Sequence, residues 1–251
     1  TMRIVLGVLE ADAGSVLLDG RQVNRADRVR FGYMPEERGL YPKMPLLEQL
    51  VYLGRLHGMP TAAADRSARA LLDRLELGPR RDDAVEKLSL GNQQRAQVAA
   101  ALVHEPNVLV LDEPFSGLDP VAVDVVVDVL RERGAAGVPV LFSSHQLDLV
   151  ERLCDDLVII ADGAIRAAGS RESIRAQHAG SGWQLVTPGG APWLEGRQGV
   201  VVTGRDGDTV LFDADAEAAH AVLAEAARTG AVDEFGRRRP TLAEIFREVI
   251  E

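Results

Sequence analysis

Two apolar runs in the middle of the chain are separated by a stretch with helical spacing. Val108 to Leu111 is a continuous apolar run, which is typical of a strand buried on both faces of a parallel sheet. Val138 to Phe142 predicts a second buried strand of the same kind. Between them, Asp119-Pro120 predicts the start of a helix that ends at Gly134. The order of strand, helix and strand predicts an α/β doubly wound core.

The segment before this core has mostly helical periodicity, over residues 46–104. Thr61 is expected to cap a helix that stops at Gly78-Pro79. Strand signals lie further upstream, at Val16 to Leu18 and at Phe31 to Met34. In all, three helices are expected, starting at Leu46, at Thr61 and around Ser89.

The last part of the chain has a different composition. Leu157 to Ala167 predicts a hairpin that turns at Asp162-Gly163. Around Gly180 to Pro192 the sequence becomes rich in Gly, Ser and Pro. Strands are then expected at Val200 to Thr203, Thr209 to Phe212 and Val232 to Phe235, and helices at Ala216 to Arg228 and from Thr241 to Ile250. Residues 180–251 therefore predict a small, separate α+β domain.

Composition and charge exclude some classes of function. The 251 residues are 46% hydrophobic, which is ample for a packed core, and the net charge is −10. A protein that binds the nucleic-acid backbone normally has a basic face, so no nucleic-acid partner is expected. The single cysteine cannot form a disulfide within the chain, which fits a reducing compartment. No apolar run is long enough to cross a bilayer, so a cytoplasmic location is expected.

Two carboxylates, Asp112 and Glu113, directly follow the first buried strand. Because α/β sheets bind ligands at the carboxyl ends of their strands, these side chains are expected at a binding site. One carboxylate can hold Mg²⁺, usually through water, while its neighbour polarises an attacking water. By themselves, the two acids are equally compatible with an aspartate that merely caps the next turn.

Three further segments weaken that structural explanation. Leu88 to Arg95 places Ser89 and Gly91 at the start of a helix, where a hydroxyl and free backbone amides form an anion site. Ser116 to Asp119 follows the carboxylates, and His145 ends the next strand, where a neutral imidazole could contact a terminal phosphate. Each segment alone has a structural explanation, but coincidence explains four of them in this order poorly.

The set of motifs resembles the ATPase domain of ABC transporters. The resemblance covers residues 1 to about 178 and implies a P-loop NTPase-type (RecA-like) α/β core with a helical subdomain inserted at about 46–104. The ending Arg239 to Phe246 resembles the sodium-export (NatA-type) subgroup, whose small C-terminal domain matches residues 180–251. The matching motifs are the signature (Leu88 to Asn92), Walker B (Val108 to Asp112), the D-loop (Ser116 to Asp119) and the switch histidine (His145).

The resemblance implies a role for each candidate residue and implies ATP and Mg²⁺ as cofactors. Glu113 acts as general base or orients the attacking water, and His145 steadies the γ-phosphate. Asp112 supports Mg²⁺, and Glu36, which stands at the Q-loop position, binds Mg²⁺ or orients water beside the nucleotide. The ATPase subunit forms a nucleotide sandwich with a second ATPase subunit and drives a transmembrane permease from the inner face of the membrane. The residues expected at the partner's nucleotide and at the dimer seam are Ser89, Gly91, Asn92 and Asp119.

No phosphate-binding loop of the form G-x-x-x-x-G-K-[ST] occurs in the 251 residues. In the family, the helix that resembles Thr1 to Leu9 follows that loop, so residues are expected upstream, and the chain alone is expected to bind ATP poorly. Two functions stay open: an ATP-hydrolysing subunit that powers transport, most simply export, and a non-hydrolysing truncated or regulatory subunit that contributes only the signature half of a sandwich. An ABC-type ATPase of chromosome maintenance or DNA repair is disfavoured, because residues 46–104 are too compact for a long coiled coil and the chain is acidic.

Overall fold

The computed structural model describes residues 1–37, 39–178 and 182–250, so Arg38 of the predicted Q-loop segment lies outside the described residues. The chain forms two compact units, Thr1–Gln146 and Leu147–Glu251. The first contains, in chain order, α1 (Met2–Val5), β1 (Leu17–Leu18), β2 (Arg21–Gln22), α2 (Arg25–Arg28), β3 (Phe31–Met34), α3 (Leu46–Leu56), α4 (Thr61–Arg74), α5 (Leu90–Leu102), β4 (Val108–Leu111), α6 (Pro120–Ala135) and β5 (Val140–Phe142). The second contains α7 (Leu147–Leu153), β6 (Asp156–Ala161), β7 (Ala164–Ser170), α8 (Arg171–Gln177), β8 (Gly182–Val186), β9 (Val200–Asp206), β10 (Thr209–Ala214), α9 (Ala216–Thr229), β11 (Glu234–Arg237) and α10 (Leu242–Ile250).

A parallel sheet with strand order β3-β4-β5 forms the centre of the first unit. All four residues of β4 are buried, as the continuous apolar run predicts. In register, Met34 pairs with Leu111 and Leu111 pairs with Phe142, so the carboxyl ends of the three strands lie at one edge of the sheet. That edge is where the segments with candidate site residues begin.

The prediction of a second buried strand at Val138 to Phe142 is wrong in two respects. Strand β5 begins at Val140, and it is only half-buried, with Leu141 44% exposed. The number of neighbouring strands is not the reason, because within the described residues β3 also pairs with β4 alone and is mostly buried. Side chains alternate between the two faces of a strand: Phe142 packs edge to face on Phe115, whereas Leu141 points to the opposite, exposed face. An apolar run does not report whether both faces of its strand are covered.

Helices α3, α4 and α5 pack against one another, which agrees with the helical segment predicted at 46–104. The predicted cap at Thr61 is wrong: Thr61 is the first helical residue of α4, and Pro60, which makes no side-chain cap, occupies the N-cap in an extended conformation. Helix α4 ends at Arg74, ahead of the predicted stop, and Gly78 begins a separate short turn of 3-10 helix.

Helix α5 lies directly over β3, and Gly32 makes this close packing possible. A Cβ at Gly32 would lie 2.2 Å from the Ala101 carbonyl oxygen of α5, far inside contact distance. Only glycine therefore fits beneath the helix. This contact sets the packing distance between α5 and the sheet. The candidate site lies at the edge of that sheet.

The second unit is built on two antiparallel sheets. The predicted hairpin is β6-β7, and the buried side of this hairpin contributes Ile159 to a cluster with Ile174, Leu242 and Ile245. A four-stranded sheet of order β11-β8-β10-β9 packs against α9. Sequence analysis missed β8 and α8 and placed the last strand two residues early. The division of the chain at residues 178 to 180 stays a prediction.

Candidate functional site

The two carboxylates after β4 are fixed by backbone hydrogen bonds that continue past the ends of the strands. The Asp112 N–H donates to the Met34 carbonyl at 2.8 Å, and the Ser143 N–H donates to the Leu111 carbonyl at 3.0 Å. These bonds hold Asp112 between the segments that follow β3 and β5. The carboxylates thus stand on the hydrogen-bonded edge of the sheet rather than on a free loop.

Glu113 has an unusual backbone conformation. Its φ is +48°, in the left-handed region that non-glycine residues seldom occupy. The Glu113 N–H donates to Ser143 Oγ at 2.9 Å, and the Glu113 carbonyl accepts from Gln94 Nε2 at 2.9 Å. The peptide groups on both sides of the residue are therefore held by side chains from other elements. Backbone strain of this kind persists where the surroundings over-determine it, and it clusters at functional sites.

Ser143 joins the two carboxylate residues. Besides accepting from the Glu113 backbone, its hydroxyl donates to Asp112 Oδ1 at 2.5 Å. The motifs of the sequence gave Ser143 no role. A hydroxyl at the end of the strand next to an acidic pair was the signal that could have found it.

Glu113 and His145 are in direct contact. Nδ1 of His145 donates to Oε1 of Glu113 at 3.0 Å, with the imidazole 74% exposed and the carboxylate 20% exposed. The hydrogen bond and the charge of Glu113 raise the pKa of His145 above its usual value. The expectation of a neutral imidazole is therefore not what this arrangement favours, because the carboxylate stabilises the protonated ring. An exposed cation beside a carboxylate can meet a phosphate and a water together.

The residues present fit a magnesium ion. Oxygen ligands are what Mg²⁺ prefers, and Asp112 supplies a carboxylate oriented by Ser143. Oε2 of Glu113 is buried and has no hydrogen-bond partner among the described residues, so it is available to a water bound to such an ion. The described residues contain no group of three or more His, Cys, Asp or Glu side chains that could hold a metal. That is compatible with Mg²⁺, which keeps several waters and binds substrate phosphates.

Glu36, the other predicted magnesium residue, lies two residues beyond the end of β3 and is exposed. Because β3 is the neighbour of β4, the residue stands on the same edge of the sheet. Within the described residues, no hydrogen bond joins Glu36 to Asp112 or Glu113. Its predicted role stays a prediction.

A second cluster lies at the start of α5. Ser89 is the N-cap of the helix, is exposed, and accepts from the Asn92 N–H at 3.3 Å, which leaves its own hydroxyl proton to donate. Oδ1 of Asn92 accepts from Nη2 of Arg95 at 2.6 Å, so the Asn92 amide is oriented with its NH₂ group away from Arg95. A Cβ at Gly91 would lie 3.5 Å from the Gly117 carbonyl, which places the signature beside the predicted D-loop.

Asp119 has a structural role that the sequence predicted. It is the N-cap of α6, and its Oδ1 accepts from the Ala122 N–H at 2.9 Å. Asp119 also lines a surface cleft together with Glu76 and Arg95. The structure thus brings Asp112, Glu113 and His145 together as one group, and places Ser89, Gly91, Asn92 and Asp119 around the start of α5. Sequence analysis missed Ser143 and Gln94.

Comparison with known proteins identifies the family of this site. A model of the ABC transporter family matches residues 1–116. The uncharacterized ABC transporter ATP-binding protein YhaQ of Bacillus subtilis (strain 168) is 36% identical over all 251 residues, which cover 84% of that relative. The chain belongs to the ATP-binding proteins of ABC transporters. The family explains why the signature, the acidic strand end and the histidine occur in this order.

Further comparisons concern the C-terminal part of the chain and its fold. A model of the C-terminal domain of DrrA1-3-like ATP-binding proteins matches residues 169–250, so the additional C-terminal domain is confirmed. The Nod factor export ATP-binding protein I of Paraburkholderia xenovorans (strain LB400) is 36% identical over 183 residues, which are 72% of this chain and 60% of that relative. A solved structure of an ATP binding subunit of an ABC transporter matches 70% of this chain and 75% of its own, with a TM-score of 0.64 and 31% identity. The predicted P-loop NTPase-type α/β fold is confirmed. None of the helices in the described residues is long and apolar enough to span a membrane.

Proposed function

We propose that this ABC protein is the ATP-hydrolysing subunit of an exporter. It binds ATP with Mg²⁺, pairs with a second ATPase subunit and drives a separate transmembrane permease from the cytoplasmic face of the membrane. The observation that carries the proposal is the contact of 3.0 Å between Glu113 and His145 at the end of a buried strand. A solvent-accessible carboxylate–imidazole pair beside an aspartate is suited to activating water next to a phosphate.

Each side chain at the sheet edge then has a distinct task. The Glu113 carboxylate accepts a hydrogen bond from the attacking water and orients it, and its left-handed backbone fixes the direction of the side chain. His145 keeps Glu113 in place through Nδ1 and presents its other ring nitrogen to the terminal phosphate. Asp112, oriented by Ser143, and Glu36 would hold Mg²⁺. When bound, Mg²⁺ neutralises charge on the phosphates.

The cluster at the start of α5 serves the nucleotide of the partner subunit. The Ser89 hydroxyl and the free backbone amides of the helix N-terminus donate to phosphate oxygens, and the helix dipole favours the negative charge there. Arg95 orients Asn92 so that its NH₂ group is free to donate as well. Gly91 lies beside the loop that leads to Asp119, so the same surface forms the seam between the two subunits.

The segment from Glu36 to Met44 and the neighbouring helices are suited to docking a permease. Tyr41 in this segment and Tyr52 in α3 are both exposed and meet edge to face, with 6.5 Å between ring centroids. Gln49, which is buried, accepts from the Tyr41 N–H at 2.6 Å and donates to the Tyr41 carbonyl at 3.3 Å. Aromatic side chains are enriched at protein interfaces, so this exposed pair, with Tyr41 held by Gln49 and Tyr52 on α3, favours docking here. Export as the direction of transport is supported by the Nod factor export relative.

ATP hydrolysis tests the proposal. Since the 251 residues contain no Gly-rich phosphate loop, the assay uses the chain joined to its upstream coding sequence, with Mg²⁺ and ATP. Wild type should hydrolyse ATP, and Glu113→Gln should lose about 10²-fold or more of kcat, the scale of positioned general-base catalysis. Equal turnover by both proteins would show that Glu113 is not the base.

The alternative is a non-hydrolysing subunit that supplies only the signature half of a sandwich. The paired Glu113 and His145 favour hydrolysis over this alternative. An upstream sequence without a Gly-rich loop would favour the alternative. In that case the chain, mixed with an ATPase subunit that keeps its phosphate loop and base but whose own signature serine is replaced, should raise ATP turnover, and Ser89→Arg should abolish the gain. No gain in turnover would reject the alternative.

A further inference from the structure

A buried glutamine on α5 reaches the backbone of the proposed base. Gln94 is only 4% exposed, and its Nε2 donates to the Glu113 carbonyl at 2.9 Å. A primary amide is costly to bury unless its polar atoms find partners. This bond therefore gives Gln94 a specific task at its position, and that task concerns one residue of the proposed hydrolytic site.

The bond bears on the direction of the Glu113 side chain. At a φ of +48° an L-residue is held away from its preferred conformations, so its geometry depends on what holds the peptide groups beside it. The peptide group before Glu113 is held by Ser143, through the Glu113 N–H at 2.9 Å. The peptide group after it is held by Gln94 at 2.9 Å and by the Ser116 N–H at 3.1 Å. Of these partners, Gln94 alone comes from the helix that begins with the signature.

We propose that Gln94 is a positioning residue that keeps the backbone of Glu113 left-handed and its carboxylate against His145. The inference rests on the proposed function, since it concerns the residue assigned there as the base. Gln94 lies five residues after Ser89, or roughly 7.5 Å along the helix axis. A displacement of α5 by a nucleotide bound at Ser89 therefore reaches the backbone of Glu113 through the Gln94 side chain.

The same helix offers a matched control. Gln97 is also 4% exposed, and it uses Oε1 to accept from the Gly39 N–H at 3.3 Å. It is a buried amide on α5 that bonds a different segment of backbone. A change of Gln97 thus reproduces the loss of a buried amide from α5 without removing the bond to Glu113.

The imidazole of His145 reports the position of the Glu113 carboxylate. The chain has five histidines, so the ring signals of the ¹⁵N-labelled full chain can be followed through a pH titration and assigned with His145→Asn. The pKa of His145 in the wild type should lie above the usual value for histidine, and Glu113→Gln should lower it. The size of this drop gives the full effect of losing the carboxylate. Gln94→Met should produce at least half of that drop, whereas Gln97→Met should keep the wild-type value.

Three outcomes would overturn the inference. A folded Gln94→Met protein that keeps the wild-type pKa of His145 shows that Glu113 stays in place without Gln94. An equal drop in Gln97→Met shows a general effect of losing a buried amide. No drop in Glu113→Gln shows that the Glu113–His145 contact is absent, which also removes the main support for the proposed function, whereas the first two outcomes leave that function standing. If Gln94→Met does not fold, Gln94→Asn keeps an amide that is one methylene too short, and it should lower the pKa of His145 in the same direction.

Discussion

Because the backbone of Glu113 is left-handed, we expect glycine to be more stable than alanine at this position, which is the reverse of their usual order in helices. At a φ of +48° the Cβ of an L-residue is crowded against the following carbonyl oxygen. Glu113→Ala and Glu113→Gly both remove the carboxylate that contacts His145, but only the glycine also removes the Cβ. The difference in stability between these two variants therefore reports the backbone conformation alone.

The magnitude follows from two opposing contributions. A left-handed conformation costs an L-residue roughly 1–2 kcal/mol, which glycine avoids. Against this, glycine gives the unfolded chain about 0.4–1 kcal/mol of additional conformational freedom. Glu113→Gly should thus be more stable than Glu113→Ala by about 0.8 kcal/mol, within a range of roughly 0–1.6 kcal/mol. At an ordinary helical position the order is reversed: Ala70, exposed in α4, should lose about 1 kcal/mol when changed to glycine.

Urea unfolding followed by circular dichroism measures both differences. The comparison is made between proteins with equal m-values, so that a shift in midpoint reports stability. Opposite signs at Glu113 and Ala70 are the expected result. If Glu113→Gly is less stable than Glu113→Ala, by an amount similar to that of Ala70→Gly, then residue 113 is not left-handed, and the account of a strained base held by its neighbours is refuted.

Three further predictions concern other parts of the first unit. Asp119→Ala should lower the free energy of unfolding by about 1 kcal/mol through loss of the α6 cap, whereas Asp119→Asn should retain most of it. Burial, together with the stacked ring of His57, lowers the pKa of His104 to about 4, so the unfolded chain binds more protons between about pH 6.5 and 4. The free energy of unfolding should therefore decrease as the pH is lowered through this window, and it should decrease less steeply in His104→Gln. The exposed pair Arg74–Glu132, which joins α4 to α6, should show a coupling energy below about 1 kcal/mol in a double-mutant cycle, decreasing further in 1 M salt.

The sequence predicts those features of the fold that depend on neighbouring residues. The apolar run of β4, the cap and proline that start α6, and Ser89 at the start of α5 are all signals within a few positions of the feature they predict. The family motifs also predict part of the site, because they assign Asp112 and Glu113 to the same edge of the sheet without any information on contacts.

The features that sequence analysis missed depend on contacts between distant segments. Gln94 meets Glu113 across 19 positions, and Ser143 meets it across 30. No local pattern indicates that Glu113 is left-handed, since the residue type is not one that favours this region. Strand β8 pairs with β10 and β11 in the sheet, and its five residues lie in a stretch whose Gly, Ser and Pro content predicts a connection.

The conformation of Glu113 also explains how two adjacent acids serve one site. In an extended strand, consecutive side chains point to opposite faces of the sheet, so Asp112 and Glu113 would diverge if β4 simply continued. Both instead meet the segment after β5: Asp112 contacts the Ser143 hydroxyl, and Glu113 contacts His145, two residues further along. A left-handed residue breaks the alternation at the required point. Its cost is offset by the hydrogen bond that the Glu113 N–H donates to Ser143 and by the one that its carbonyl accepts from Gln94. The strain is thus the geometric condition for placing a metal-binding carboxylate and a water-orienting carboxylate side by side, which is why glycine should be more stable than alanine at this position although both remove the base.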